Sequence, residues 1–477
     1  MASRPKVVPR TSPDFREVSG LGAFIRARFL ETYPSPKLMI VLLLVAVFGF
    51  AFIVVEESLL GAALSGGLAA SLHASPGAES WIVASGALGT IAAYPLGGPL
   101  ADRIGRTRLI AFGLLGYAVV DALKMVTTDV PLFIVLRVVS GAMGMLTVVP
   151  ALAIVRDYTP RTSRGLGYGI ATALGWGLGA LLSFWIPSPI LSAYAHTALF
   201  GLTGPWRWVF AFGALFALVF FVVELLFLKD VPPALRVRRR GLTVQSDKEA
   251  LAVERAERGS VLQAIRLYIS SWRMWLIWSN QWFWGLAWAG ILTFFPVILV
   301  TTMGKSAGTA TFLAGFVWVA YLVSSFFIGW LSDIVHVRKS FNMLGMLGVF
   351  VTMLIFATQL LYHSNVSTGT LLVVFVLVGI FAGMQYPSFA ITLAGEAETV
   401  NPAGVASAFA FYSLSASAVG FFPGLIFPRL GAAPHGWETA VVVMAIGALC
   451  SAPTLLAARG RLLPSRVLPA DAQESYY

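Results

Sequence analysis

One cysteine, five histidines and 22 acidic residues are all the redox, metal-binding and acid–base chemistry that 477 residues carry. The single thiol, Cys450, excludes an intrachain disulfide and is expected to pack inside the last apolar run. His73, His196, His336, His363 and His435 all fall in loops or at the ends of apolar runs. No metal-ligand spacing, catalytic constellation or cofactor motif therefore forms, and the chain is not expected to be an enzyme. A phosphate-cradling glycine loop is missing, which removes a nucleotide-driven pump. Alternating strand patterns are missing too, which removes a membrane β-barrel. Charge is scarce: 12% of residues are charged against 58% hydrophobic, a profile that soluble chains do not show.

What is present is a succession of twelve apolar stretches, each near the ~20 residues that cross ~30 Å of hydrocarbon as a helix. They fall near 38–68, 80–101, 108–127, 131–155, 165–186 and 207–228, then 273–300, 309–332, 340–362, 369–393, 403–428 and 436–458. The expected division is a tail over 1–37, six spans over 38–228, a linker over 229–272, six spans over 273–458 and a tail over 459–477. In the first tail, Phe24, Ile25, Phe29 and Leu30 among Arg26 and Arg28 read as an interfacial helix or as a disordered anchor. The linker carries Arg236, Arg238, Arg239 and Arg240 and a Glu/Arg mixture over 247–258, with an amphipathic stretch over 261–268. It has no core-sized apolar pattern of its own.

The net charge of +11 suggests a polyanion partner until its distribution is read. All but five of the 33 Lys and Arg fall on one side: Lys124, Arg207, Lys305 and Arg429 lie near the other, and Arg137 lies within a span. That bias places both termini in the cytoplasm, in a multi-pass protein of the plasma or inner membrane, and leaves no role for nucleic acid.

Between the second and third stretches stands Gly98-Pro99-Leu100-Ala101-Asp102-Arg103-Ile104-Gly105-Arg106-Thr107-Arg108. Charges this dense belong at a membrane surface, so the segment is expected to be a tight turn, with Gly98 allowing close helix approach and Gly105 the reversal. A weaker copy, Gly329-Trp330-Leu331-Ser332-Asp333 followed by Arg338-Lys339, recurs 231 residues later. The pattern resembles the loop signature of the major facilitator superfamily. The resemblance implies an all-α membrane fold of twelve transmembrane helices in two pseudo-symmetric six-helix bundles, with the substrate between them.

Further residues extend the resemblance toward the drug:proton antiporter branches. From Glu57, the acid is followed by Leu72, Ser75 and Trp81 as in the antiporters' first-span pattern, although Leu59 and Gly66 stand where Thr and Pro are usual. This points to Glu57, with Glu56 beside it, as the proton-coupling acid; the alternative is a hydrated position at the outer end of the span. Arg137, four residues before Gly141, resembles a fourth-helix signature. It would hold a carboxylate's charge or an anionic substrate, or form a structural pair with Glu57 or Asp121. The fifth stretch, Ala171 through Gly175-Trp176 to Gly179-Ala180, follows an antiporter signature but replaces its proline with Trp176 and its last glycine with Ala180. The resemblance further places Asp102 opposite the start of the eleventh span near Pro402–Ala406, with Arg156 as a second partner. Asp333 would meet the fifth-span start near Ser163–Gly165, and Arg338 or Lys339 would lie near Glu396. With Gly98, Arg103, Gly105 and Arg106, these form the expected conformational switch.

The second half offers neutral polar and aromatic groups, of which Asn280, Gln281, Trp284, Gln385, Tyr386 and Tyr412 are expected at the substrate cavity. The reading is a secondary transporter of a small organic solute, proton-coupled, exporting amphipathic compounds. The alternatives are a metabolite uptake symporter or uniporter and, more remotely, a non-transporting receptor. Its partners would be solute, protons and the lipid bilayer, with no metal or cofactor, and it would act as a monomer. Glu57→Gln keeps the side chain's shape but cannot titrate. It is expected to abolish proton-driven transport and to spare solute exchange; a gradient-driven rate equal to that of the parent would move the coupling site to Glu56 or Asp121.

Overall fold

Runs of apolar residues in hydrocarbon must satisfy their own backbone groups, and helices result. The computed structural model describes residues 36–158, 173–232, 261–335, 337–362, 366–400, 405–459 and 462–463, together with Leu235 and Glu249. The packing of Gly98 and the side chains of Glu56, Glu57, Asp102, Arg103, Arg156 and Asp333 fall outside the described set. So do most of the linker, both tails almost entirely, and the starts of the fifth and eleventh spans.

The first six spans are α1 (Pro36–Ser65), α2 (Pro76–Ile104), α3 (Arg106–Val126), α4 (Val130–Tyr158), α5 and α6 (Trp206–Phe227). Here α5 comprises a π-helical segment Ala173–Leu178 followed by Gly179–Trp185 and Pro187–Ala193. The second six are α7 (Trp272–Ala289, π-helical Gly290–Phe294 and Phe295–Met303), α8 (Ala307–Val335), α9 (Lys339–Tyr362), α10 (Thr368–Gly383 and Gln385–Val400), α11 (Val405–Gly431) and α12 (Gly436–Ser451). Among the described residues, nine of these are long and apolar enough to cross a membrane by length and composition. A separate helix, Val261–Ser270, precedes α7. Its Tyr268 is fully buried in a cluster with residues of α7, α10 and α11, and burial pushes the phenol up to about 12.

Two sequence expectations change. The segment from Gly98 to Ile104 is helix, not turn: α2 continues through it, and the reversal into α3 is made by Gly105 alone at φ 102°. Only a residue without a Cβ takes that conformation without strain. The first span stops at Ser65 rather than near Leu68, where Gly67 at φ 85° starts a separate turn of helix. Upstream of that stop, α1 runs unbroken past Glu56 and Glu57, with Val54, Val55, Ser58 and Leu59 fully buried around them.

Within the first six helices, α2 and α4 meet backbone to backbone. A Cβ at Gly89 would lie 1.7 Å from the Val138 carbonyl oxygen, and one at Gly141 would lie 1.9 Å from that of Gly86. Lipid tails are as apolar as leucine, so such contact is what favours one helix neighbour over lipid. Between the two halves, the packing is uneven along the membrane normal. At the end away from the termini a single apolar core joins Leu60 and Leu64 of α1 and Phe184 of α5 to Leu292, Ile298, Leu313 and Trp318 of α7 and α8. Toward the termini the described residues form two separate cores. One holds Leu42, Ala46, Ile110 and Ile154; the other holds Met274, Ile277, Phe389 and Leu393.

Gly141→Ala is expected to force α2 and α4 apart and to destabilise the protein by ~1–3 kcal/mol. Gly420→Ala, where a Cβ meets nothing within 4 Å, should be neutral or slightly stabilising. Thermal unfolding of the two purified variants in one detergent checks the contrast, and equal melting temperatures would remove the packing account.

Candidate functional site

Among the described residues the two halves touch along several helix pairs, and their hydroxyl and aromatic contacts lie at mid-membrane or toward the end away from the termini. Between α1 and α8, the Ser65 and Thr311 hydroxyls are 3.2 Å apart. Ser188 of α5 donates to the Gly308 carbonyl of α8 at 2.9 Å. Trp81 of α2 meets Phe421 of α11 edge to face at 6.0 Å. Nearer the middle, Trp176 of α5 meets Trp288 of α7 edge to face at 5.5 Å and 84°. Trp288 in turn contacts Trp284, Trp318 and Tyr321 at 5.9, 5.0 and 5.8 Å. Tyr386 and Tyr412 are hydrogen-bonded to each other, and Tyr94 of α2 and Tyr321 of α8 lie close enough to act on Tyr412 electrostatically. Four phenols from α2, α8, α10 and α11 thus converge below an aromatic pair.

In the first half, buried charges lie in α3, α4 and α6. Lys124 is fully buried, donates to Asp121 at 3.0 Å and to Ser140 of α4 at 2.9 Å, and lies over the Phe210 ring at 5.1 Å. Asp121 is equally buried, and α6 reaches its second oxygen because Gly213 has no side chain there. Arg137, one helical turn before Ser140, is buried against Gly86 of α2. Lys124 and Arg207, placed near the far side by the sequence, are both buried there. Arg207 is 3% exposed and donates to the carbonyls of Met125, Thr127 and Thr203, which closes the C-terminal end of α3.

In the second half, the expected cavity residues divide. Asn280 is fully buried and knots four helices. Its amide nitrogen donates to Asn342 of α9 at 3.1 Å, to the Ser451 carbonyl at the end of α12 and to the Thr454 hydroxyl just beyond, both at 3.0 Å. Its oxygen accepts from Gln385 of α10 at 3.0 Å and from Gln281 at 3.5 Å. Asn280, Gln281 and Gln385 are therefore joined within the bundle, and Trp284 is 3% exposed in the shared core. Tyr386 and Tyr412 remain with the aromatic group at the interface. This half, which the sequence presents as neutral polar and aromatic, holds buried charge as well. Lys339 and Glu396 are both buried, and each holds the segment after α12: Lys339 donates to the Ala458 carbonyl, and Glu396 accepts from the Arg459 amide. Glu396 also acts electrostatically on Lys339.

Residues 43–397 match the profile of the Major Facilitator Superfamily. The chain belongs to that superfamily. Three curated relatives are similar over parts of their length. Multidrug resistance protein 3 of Bacillus subtilis is 29% identical over 131 residues, 28% of this chain and 23% of that protein. A triacylglyceride transporter of Mycolicibacterium smegmatis is 35% identical over 97 residues, 20% and 17% respectively. A niacin transporter of Acinetobacter baylyi is 25% identical over 292 residues, 57% and 62%. The chain spans less than two thirds of each of the three. Among solved structures, the E. coli xylose transporter XylE in a partially occluded inward-open conformation aligns with a TM-score of 0.66 at 18% identity, over 88% of this chain and 97% of that one. A bacterial homolog of the human lysosomal transporter Spinster, inward-facing and unoccupied, aligns at 0.61 and 14% identity, over 89% and 95%. Both share the fold.

The superfamily's turn after α2 shows what the sequence reading missed. Asp230, three residues past α6, accepts from the Thr107 amide and hydroxyl, both at 3.2 Å. It thereby places a carboxylate at the positive end of α3 beside Gly105 and the buried Arg106. Lys229 next to it is also buried, which pushes its ammonium pKa down. A second omission is Glu224, 1% exposed within α6. The signal was a lone acid inside Phe220–Phe227. The contacts expected for Asp102, Arg156 and Asp333 lie outside the described residues, and Arg338 is half-buried just ahead of α9.

Removing one member of a buried ion pair leaves the other's charge stranded. Lys124→Met is therefore expected to destabilise the protein by ~3–5 kcal/mol, and Asp121→Asn on top of it should recover most of that loss. Unfolding of the single and double variants measures the coupling, and additive losses would mean the pair is not the determinant.

Proposed function

We propose that this chain moves a small organic solute across the membrane by alternating access, with its proton-coupling groups in the first bundle. The observation that carries the reading is the uneven packing between bundles. One apolar core joins them at the far end, while the described residues nearer the termini form separate cores. Two rigid bundles closed at one end and parted at the other exchange that arrangement by rocking. With the termini assigned to the cytoplasm on the lysine and arginine bias, this conformation opens inward.

Proton coupling is assigned to Glu57, with Glu56, Arg137 and Asp121 as its electrostatic setting. An ionisable residue within a membrane span is a functional candidate by default, and Glu57 is the acid that the first-span pattern singles out. The relatives' names specify multidrug resistance, niacin and triacylglyceride, so no single cargo transfers to this chain. Export of amphipathic compounds stands first, and the geometry of α5 favours it. Where the antiporter signature has proline, Trp176 lies in the π segment Ala173–Leu178, which leads into the α-helical Gly179–Trp185. The signature's close contact is kept, because Gly179 packs on the Ala51 backbone of α1. Metabolite uptake is the second reading, favoured by Trp176 itself, whose bulk the signature's proline lacks.

Alternating access is testable without knowing the solute. Ser65 is 7% exposed at the closed end. In a Cys450→Ala background, Ser65→Cys is expected to react with a membrane-impermeant maleimide added on the face away from the termini, because that end must open in turn. An imposed proton gradient should change the rate severalfold. Complete protection under every gradient would overturn the proposal.

A further inference from the structure

Both π-helical segments of the described residues lie at the bundle interface, and a tryptophan accompanies each. Trp176 lies inside Ala173–Leu178, and Trp288 stands two residues before Gly290–Phe294. A π turn is rare and is frequently found at functional sites. Here each turn sets one ring of the pair that meets edge to face across the bundles at 5.5 Å. Both rings are half-buried. An edge-to-face pair is an L-shaped corner, in which a third planar ring stacks on one wall and abuts the other. The Trp288 wall is fixed in advance, backed by Tyr321 at 5.8 Å and by other rings of its own bundle. Below the corner, the half-buried Tyr94 and Tyr386 present phenols from opposite bundles, with Tyr412 hydrogen-bonded to Tyr386 behind them.

We infer that the transported solute is a planar aromatic molecule bearing a hydrogen-bonding substituent. Its ring seats in the Trp176–Trp288 corner and its substituent meets the hydroxyls of Tyr94 and Tyr386. The inference rests on the transport reading and adds the chemical class of the cargo. Because the corner takes one wall from each bundle, and the phenols likewise, a bound ring bridges both moving bodies. Occupancy is thereby felt by the conformational equilibrium.

Equilibrium binding to the full-length protein in lipid nanodiscs tests the class and requires no translocation. The probes are 4-hydroxybenzamide, indole-3-carboxamide, their saturated counterpart cyclohexanecarboxamide, and glucose. At least one aromatic amide is expected to bind about fivefold or more tighter than cyclohexanecarboxamide and glucose. Trp288→Ala should remove that advantage, while Trp288→Phe, which keeps a ring and guards against a folding defect, should retain most of it. Tyr386→Phe should weaken the amides without abolishing ring discrimination. Equal or tighter binding of the saturated amide or of glucose, no binding by either aromatic probe, or unchanged affinity in Trp288→Ala would each overturn the inference. An aromatic probe that binds in a protein whose Ser65→Cys variant never labels would instead uphold the class and sink the transport reading.

Discussion

Inside a bilayer, helices gain nothing by hiding leucine from lipid, so whatever holds two bundles rigid must come from close backbone approach and from polar groups with no water to fall back on. Both devices are present, and each half uses both. In the first, α2 and α4 meet through Gly89 and Gly141 with no side chain between them, and Lys124 ties α3 to α4 through Ser140. In the second, Asn280 draws α7, α9, α10 and the end of α12 to one point, and a Cβ at Gly379 of α10 would lie 2.1 Å from the Val317 carbonyl oxygen of α8. The buried charge and amide ties lie within one bundle, whereas close backbone approach also occurs between bundles: a Cβ at Gly61 of α1 would lie 2.6 Å from the Thr293 carbonyl oxygen of α7. Each bundle is thus tied within itself by buried charge or amide, and the contacts between bundles are hydroxyl pairs, aromatic edges, close backbone approach at glycine and a shared apolar core.

That division is what alternating access requires. Contacts that persist through the cycle belong inside a bundle, where breaking them leaves a buried charge or amide unsatisfied. Contacts that must break belong between bundles, where each is small. Ser65 with Thr311 and Trp81 with Phe421 can part at modest cost, since an exposed hydroxyl finds water and a parted ring finds solute or lipid. The charged residues follow the same logic. Asp121 with Lys124, Arg207 on the end of α3, and Asp230 on its beginning all act within the first bundle.

Much of this was legible in the sequence, because apolar length and the Gly98–Arg108 signature are local properties. The spans, the helical class and the family followed from them. What stayed hidden depends on three-dimensional neighbours. Asn280 looked like a cavity ligand because a lone amide in an apolar run signals function, yet its partners Asn342, Gln385, Ser451 and Thr454 are 62 to 174 residues away. Lys124 and Arg207 stand near span ends in the sequence, but their burial depends on Asp121 and on the open carbonyls of α3. The turn was read as a loop because charges crowd it, although Gly105 alone makes it and the helix runs on through Asp102. Asp230 carried no motif at all. The Trp176 substitution read as a broken signature, and only the backbone revealed a π segment in the proline's place.

The central claim is that two rigid bundles exchange which end is closed. Pulsed electron–electron double resonance on the reconstituted protein tests it most directly. Two pairs of exposed sites serve, His73 with Ser306 at the far end and Arg108 with Ile334 at the end bearing the termini. Each pair should give two distance populations that trade against each other, the far pair short when the near pair is long, with the balance shifting as pH changes. A single invariant distance at both ends would contradict the account.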